Sequence, residues 1–516
     1  MTAEYSHDWI RRWWRKLRPQ PFAPALLCAL LFAGEVFAGP ARFDVPEFLK
    51  RPVTTPGIGS QPRPSGGIRT VMIQMFEWPW KDLARECEQV LGPMEIAAVQ
   101  VSPPQEHLML GQNSWWERYQ PVSYKLVSRG GTEAEFRDMV KRCQAVGVDV
   151  YVDVILNHMA GIREGRGFAG TLYTKYNHRG LFIPGDFNDC GLYGDNQIRN
   201  YKDRFELQYC ELLGLADLKT SSPSVRRTLT TYLDGLVDMG VAGFRLDAAK
   251  HMPADDLRAI VAAVKKPVYY VSETLIGPGD PVGISEYTPF SDVNVFPYAY
   301  DLARVLRGGY LASWLNFQRI YPASDLSVVF VENHDTQREQ PLQSLSRTNE
   351  PEYFKLAEVF MLTWPFGYPQ LFSGYRFVSY DEGPPIDGKG YTTSPLGAAG
   401  DCLAPWQCEH RATHVRNLVR FRNRTAGVFT ATKTWSAGGE IFAFSRGHLG
   451  FTVINGRATE LAGAAIPTDL PDGDYCDQVT ASGTHCARRY SVRGGHFRGD
   501  VPARTAIVLL NEESSK

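Results

Sequence analysis

GVAGFRLDAAKH, residues 240–251, is the stretch on which the fold turns. Its first half is a run of small and apolar residues suited to a buried strand, yet Arg245 and Asp247 stand in it two positions apart. Strand side chains alternate between faces, so both charges share one face, where unpaired ions would cost several kcal/mol or more. Such a strand belongs in a sheet whose end opens onto partners, as at the C-terminal mouth of a parallel barrel.

Seven further segments read as strands: TVMIQMFEW (70–78), AAVQVSPP (97–104), DVYVDVILNH (149–158), VYYVSETL (268–275), DVNVFPY (292–298), SVVFVENHD (327–335) and YPQLFSGY (368–375). Between most of them lie stretches with apolar residues at helical spacing, such as 132–147 and 224–240. Strands and helices in alternation predict a parallel sheet covered on both faces, and eight strands close an α/β (β/α)8 TIM barrel over 68–158 and 220–410. The competing open sheet would carry a glycine-rich nucleotide fingerprint after an early strand, and none follows one. Residues 159–219, rich in Gly, Asn and Asp and holding Cys190 and Cys210, read as an excursion domain after the third strand. Beyond 411 the rhythm changes to short turn-bounded strands (GEIFAFSRG, GFTVING, ARTAIVLL), which predicts a C-terminal all-β sandwich over 411–516.

A chain of 516 residues with 44% hydrophobic and 22% charged residues can build such a core. A net charge of -1 argues against a nucleic-acid or anionic-membrane partner. Aromatic content of 12% is compatible with sugar-stacking surfaces and equally with a large core. At the N-terminus, RRWWRKLR (11–18), FAPALLCALLFAG (22–34) and VFAG (36–39) predict a signal peptide over 1–38 and a secreted protein, extracellular or, from a Gram-negative bacterium, periplasmic. A membrane-anchored N-terminus is the alternative. Residues 39–67, rich in Pro, Gly, Arg and Ser, form a lead-in. Of nine cysteines, Cys28 lies in the signal; the even remainder suits disulfides, and Cys402/Cys408 and Cys476/Cys486 are close enough to close small loops. Neither pair has zinc spacing.

Four strands end in charge: Asp153, Asn157 and His158; Arg245, Asp247, Lys250 and His251; Glu273; and Glu332, Asn333, His334 and Asp335. Asp247, Glu273 and Asp335 would thus converge on one mouth. Cleaving an acetal needs a proton for the leaving oxygen and a group that holds positive charge at the anomeric carbon. Two carboxyls serve if their surroundings push their pKa values apart. Arg245 would keep Asp247 ionised, and Glu273, behind the apolar VYYV run, is the candidate to stay protonated.

These segments, in this order and with this excursion, resemble the α-amylase family of glycoside hydrolases. WWERYQPVSYKL (115–126), GLADL (214–218) and the YR after the eighth strand are similar to its animal-type, chloride-binding members. The resemblance implies a retaining, endo-acting hydrolase of internal α-1,4-glucosidic bonds in starch, glycogen and maltooligosaccharides, acting as a monomer. It casts Asp247 as nucleophile, Glu273 as general acid/base and Asp335 as a clamp on sugar hydroxyls. Trp115, Trp116 and Tyr119 would form a stacking platform with Gln120 beside it. His158 and His334 would bond the sugar, and Tyr201, Arg245, Lys250 and His251 would line further subsites. A related hydrolase or transglycosylase, or a non-catalytic carbohydrate-binding barrel, stays open as an alternative.

The resemblance also implies calcium, held by the side chains of Asn157 and Asp217 and the carbonyls of Gln208 and His251, an oxygen-only set suited to that ion. It implies disulfides Cys87–Cys143, Cys190–Cys210, Cys402–Cys408 and Cys476–Cys486. The family's chloride site is matched by Arg245 and Asn333, but Gln370 stands where a second arginine is expected. A neutral amide in place of a cationic fork predicts little dependence on chloride, with Arg245 paired instead to carboxylates such as Glu332. The glycine-rich loop expected after the seventh strand is replaced by REQPLQSLSRTNE (338–350), which argues against loop closure over substrate.

Overall fold

The computed structural model describes residues 69–512 apart from 278, 318–319, 340–342 and 484; the expected signal peptide and lead-in lie outside the described residues. The strands β1 (Met72–Met75), β2 (Ala98–Val101), β3 (Asp149–Val154), β4 (Gly243–Leu246), β5 (Tyr269–Ser272), β6 (Asp292–Asn294), β7 (Ser327–Val329) and β8 (Tyr368–Tyr375) follow one another around a parallel sheet. The sheet closes where β8 pairs with β1, Met72 opposite Gln370. Helices form where apolar residues recurred at helical spacing, at Glu133–Ala145 and Pro223–Asp238. The first starts at a capping box in which Thr132 and Glu135 satisfy each other's backbone N–H groups.

Alternation fills the barrel in layers. Met72, Ala98, Tyr151, Tyr269, Val271, Val328 and Tyr368 pack into one buried cluster in the floor, with Tyr151 and Tyr269 stacked at 4.8 Å. Gly243 makes room there: a Cβ on it would meet Tyr151 Cδ1 at 2.6 Å and the Tyr269 carbonyl at 2.9 Å. Two residues further along β1, β2, β3, β4 and β8, on the same face, the floor gives way to a polar layer of Gln74, Gln100, Asp153, Arg245 and Gln370, all buried. The intervening residues, such as Ile73, Val99, Val152 and Phe244, face outward into the core beneath the helices.

Between β3 and β4 the chain leaves the barrel. His158–Met159 pairs antiparallel with Ala216–Asp217, a small three-stranded sheet spans 164–178, and Cys190–Cys210 joins its own loop to the short helix Arg204–Tyr209. After β8 a helix, Thr413–Arg424, precedes the first C-terminal strand at Thr432, and two four-stranded antiparallel sheets then pack face to face around Ile441, Phe451, Phe497 and Ile507. Disulfides Cys87–Cys143, Cys402–Cys408 and Cys476–Cys486 are also formed. No helix among the described residues is long and apolar enough to cross a membrane.

Candidate active site

The charges of GFRLD meet their partners at the barrel mouth. Arg245 Nη1 donates to Asp153 Oδ1 at 2.8 Å and to Asp247 Oδ1 at 2.7 Å, and Nη2 donates to Glu273 Oε1. The other Glu273 oxygen accepts the Ala248 N–H at 2.8 Å. Ala248 sits in the left-handed region with φ 49°, an unfavourable conformation for a residue with a Cβ, and this turn is what aims its N–H at Glu273. Asp335 completes the group. Burial pushes the carboxyls of Asp153, Asp247 and Asp335 upward, their mutual repulsion and that of Glu273 adds to the rise, and Arg245 opposes it. Arg245 itself is 3% exposed, and its three carboxylates hold its charge against the desolvation. Among these contacts Glu332 is absent. The Arg245–Glu332 pairing expected from the sequence is replaced by Asp153, Asp247 and Glu273, because β7 ends at Val329 and the buried Glu332 instead feels Glu409 and Glu358.

One wall of the mouth is aromatic. The turn Trp115–Tyr119 places Tyr119 in a stack with His334 (5.2 Å, 9°), and Phe76 stacks on His334 at 5.0 Å. Trp115 meets Phe76, Tyr119 and His334 edge-on. Indole N–H groups fix both tryptophans, Trp115 to the Tyr380 carbonyl and Trp116 to Asp381 Oδ1, each at 2.9 Å. Tyr119 donates to Asp153 Oδ2 at 3.0 Å and its carbonyl accepts from His158 Nε2 at 3.0 Å, so wall and charge cluster are one network. Gln120 Oε1 accepts the Gly161 N–H at 3.1 Å, tying the wall to the excursion. Gln74 Nε2 donates to His334 Nδ1 at 2.9 Å, and His334 Nε2 lies 3.3 Å from Asp335. Burial lowers the His158 pKa to about 4 and that of His334 well below the usual value, Arg245 and Arg338 adding to the second.

A third group lies toward the excursion. Lys250 Nζ donates to the Leu275 carbonyl at 2.5 Å and to Asp280 at 3.3 Å. His251 donates through Nδ1 to the Leu207 carbonyl at 3.0 Å and meets Tyr201 edge-on; Gln208 Nε2 returns to the carbonyls of Lys250 and Met252, each at 3.4 Å. Across the His158–Asp217 pairing, Asn157 Oδ1 is buried with no hydrogen-bond partner. Asp217 is buried too, with the Asn188 amide on it at 2.8 Å and no arginine or lysine among the described residues. An unmatched amide oxygen and an unneutralised carboxylate fit a hard dication such as calcium. No group of three or more His, Cys, Asp or Glu suited to a metal occurs among the described residues, and the expected set itself holds one carboxylate, Asp217, beside amide and carbonyl oxygens.

The residues matched to the anion site are otherwise engaged. Gln370 Nε2 donates to Gln100 Oε1 at 3.0 Å, and Asn333 Oδ1 accepts from the N–H groups of Asp335 (3.1 Å) and Thr336 (2.8 Å). Four contributors escaped the sequence reading: Gln74, Phe76, the Ala248 N–H and Arg338. Arg338, from the segment after β7, is buried with its guanidinium 4.0 Å from the Phe377 ring centre and 5.2–5.4 Å from those of Tyr375, Phe76 and Trp115, and it donates to the His334 carbonyl at 3.4 Å. Only parity could have pointed to Gln74, two residues from a floor residue.

A barrel with acid groups gathered at the C-terminal ends of β3, β4, β5 and β7 defines a glycoside-hydrolase type of site. The catalytic-domain model of the α-amylase family matches residues 92–267. An α-amylase of Thermomonospora curvata is 42% identical over 464 residues, covering 86% of this chain and 74% of its own, and one of Pecten maximus is 38% identical, covering 84% and 90%. The crystal structure of α-amylase I from Eisenia fetida superposes with a TM-score of 0.82 at 33% identity, covering 87% of this chain and 99% of that one. The chain belongs to the α-amylase family of glycoside hydrolases, and α-amylase is the activity these relatives carry by name.

Proposed function

We propose that the protein is a secreted, retaining, endo-acting α-amylase that hydrolyses internal α-1,4-glucosidic bonds of starch, glycogen and maltooligosaccharides as a monomer. The observation that carries this is the single guanidinium that bridges Asp247 and Glu273. Two carboxyls on one planar fork suit the separation of about 5–5.5 Å that a double displacement needs. A glutamate-to-glutamine variant of the Eisenia fetida enzyme has been solved with maltohexaose, which supports an α-glucan ligand.

In this reading Asp247 attacks the anomeric carbon while Glu273 protonates the glycosidic oxygen, breaking the bond and leaving a glycosyl ester on Asp247. Glu273 then takes a proton from water, which attacks the same carbon and releases the ester. Both Glu273 oxygens accept hydrogen bonds in the free enzyme, from Arg245 and the Ala248 N–H, so substrate has to displace the Arg245 contact before Glu273 can act on the glycosidic oxygen. Asp335, pushed up by burial, donates to sugar hydroxyls, and His158 and His334, both neutral, bond the same ring. Asn157, Asp217 and the carbonyls of Gln208 and His251 would hold calcium, which would supply structural charge between excursion and barrel. The Gln370–Gln100 bond supports activity that does not need chloride.

Replacing Glu273 by Gln and assaying soluble starch tests the assignment: a loss of 10³-fold or more is expected for removal of an acid/base that also drives covalent chemistry. Full activity in the variant would refute it and leave a non-catalytic or differently wired barrel. Chromatography of the wild-type products should give a ladder of maltooligosaccharides; one disaccharide alone would reject endo action. Turnover rising from near zero on adding chloride would reject independence from the anion.

A further inference from the structure

A second polar groove lies away from the catalytic mouth. The turn Pro93–Glu95, which leads into the N-terminal end of β2, forms one side of it; the helix Thr413–Arg424 and Ser482 and Gly483 of the sandwich form the rest, around a volume of about 410 Å³. Arg416, Arg420 and Arg424 recur every fourth residue along one face of that helix, and Arg411 joins them at its start.

Their partners are unequal. Arg411 is committed to Glu86 and to the Gly400 carbonyl. Arg420 pairs with Glu512 at 3.1 Å, both side chains about half exposed. Arg416 and Arg424 are exposed and have no carboxylate partner among the described residues. Glu95 also lines the groove and offsets part of the charge. A helix C-terminus favours a cation, which accounts for Arg424 but not for Arg416 or Arg420. Like charges at this spacing repel one another, so the stripe is a strain that an anion would relieve. The walls are held: Asn417 Nδ2 donates to the carbonyls of Gln478 (2.9 Å) and Ala481 (2.8 Å), and Cys476–Cys486 closes the loop that carries Ser482 and Gly483.

We propose that this groove is an oxyanion site that takes a phosphate group, free or as an ester on the polysaccharide, and clamps the sandwich to the barrel. Guanidinium forks match phosphate oxygens in pairs, and two or more unneutralised arginines in a preformed cleft select that group over chloride. The test titrates sodium phosphate against sodium chloride at matched ionic strength, by calorimetry and thermal unfolding. Phosphate should bind and raise the melting temperature, and Arg416→Gln/Arg424→Gln should weaken binding by about ten-fold or more while turnover of an unphosphorylated maltooligosaccharide stays unchanged. Phosphate acting no differently from chloride, or equal binding by the variant, would overturn the proposal. Given phosphate binding, retention on phosphorylated amylopectin against the phosphatase-treated polymer, in the Glu273→Gln background, separates the sources: preferential retention assigns the ester and equal retention the free ion. That arm rests on the α-glucan reading; the phosphate titration does not.

Discussion

Replacing Arg245 by Gln removes the cation from a cluster of four carboxyl groups. The guanidinium serves three of them directly, with Asp153 and Asp247 at 2.8 and 2.7 Å and Glu273 on its second nitrogen, and is itself 3% exposed. Breaking one buried pair typically costs about 3–5 kcal/mol, because a charge is left uncompensated. The carboxyls can escape part of that cost by taking up protons. Burial already places Asp153, Asp247 and Asp335 above their ordinary values, and loss of the cation raises them further. A group whose folded pKa lies above its unfolded one stabilises the fold most below the unfolded value, and that stability is lost as pH rises through the folded value. The variant should therefore be about 3–5 kcal/mol less stable than wild type at pH 8, and roughly 1.4 kcal/mol less impaired at pH 5 for each unit of added rise titrated in between. Urea unfolding of both proteins at the two pH values measures this. An equal deficit at both, or none at pH 8, would refute the electrostatic account of the cluster. Arg245→Lys should recover much of the stability but little of the turnover, since one ammonium cannot reproduce three bonds from a planar fork.

His158, with a pKa lowered to about 4, contributes stability that is complete above the unfolded value near 6.5 and is lost as pH falls toward 4. His158→Gln should flatten the acid decline by up to about 3 kcal/mol between pH 7 and pH 4, and a variant as acid-sensitive as wild type would reject this. A chelator should lower the wild-type melting temperature and leave Asp217→Asn, already lowered, almost unmoved; an equal drop in both would remove Asp217 from the calcium set. Gly243→Ala should cost about 1–3 kcal/mol in chemical denaturation, because its Cβ would press on Tyr151 at 2.6 Å and on a β5 carbonyl at 2.9 Å. A neutral result would mean that the floor of the barrel yields.

The strands were legible because each is an apolar run bounded by turn residues, and the order of the sheet because neighbouring parallel strands need helical crossovers. Arg245 and Asp247 could be placed on one face by parity alone. Parity stopped helping where strands stop. Glu332 stands two residues beyond Phe330, and continuing the alternation would have aimed it inward toward Arg245, but the chain has left the sheet by then and its buried carboxyl lies within the influence of Glu409 and Glu358. Asp153 was visible as a charged strand end, yet its bond to Tyr119 required knowing how the 115–119 turn folds back over the mouth. Arg338 was illegible for the opposite reason: an arginine in a polar loop reads as solvated, and the four rings around it come from three separate parts of the chain.

The bond from Gln74 to His334 reaches further than its 2.9 Å. An amide nitrogen can only donate, so Nδ1 of that ring must offer its lone pair and the neutral ring must carry its hydrogen on Nε2, the atom that faces Asp335 at 3.3 Å. A residue in the first strand thus chooses the tautomer of a residue beyond the seventh, with only β8 between the two strands. Gln74→Glu, nearly identical in shape, would reverse the choice: its carboxylate would draw the hydrogen to Nδ1 and turn a bare lone pair toward Asp335. In the proposed reaction the variant would keep every carboxyl and lose the one hydrogen with which His334 would meet a sugar oxygen as a donor.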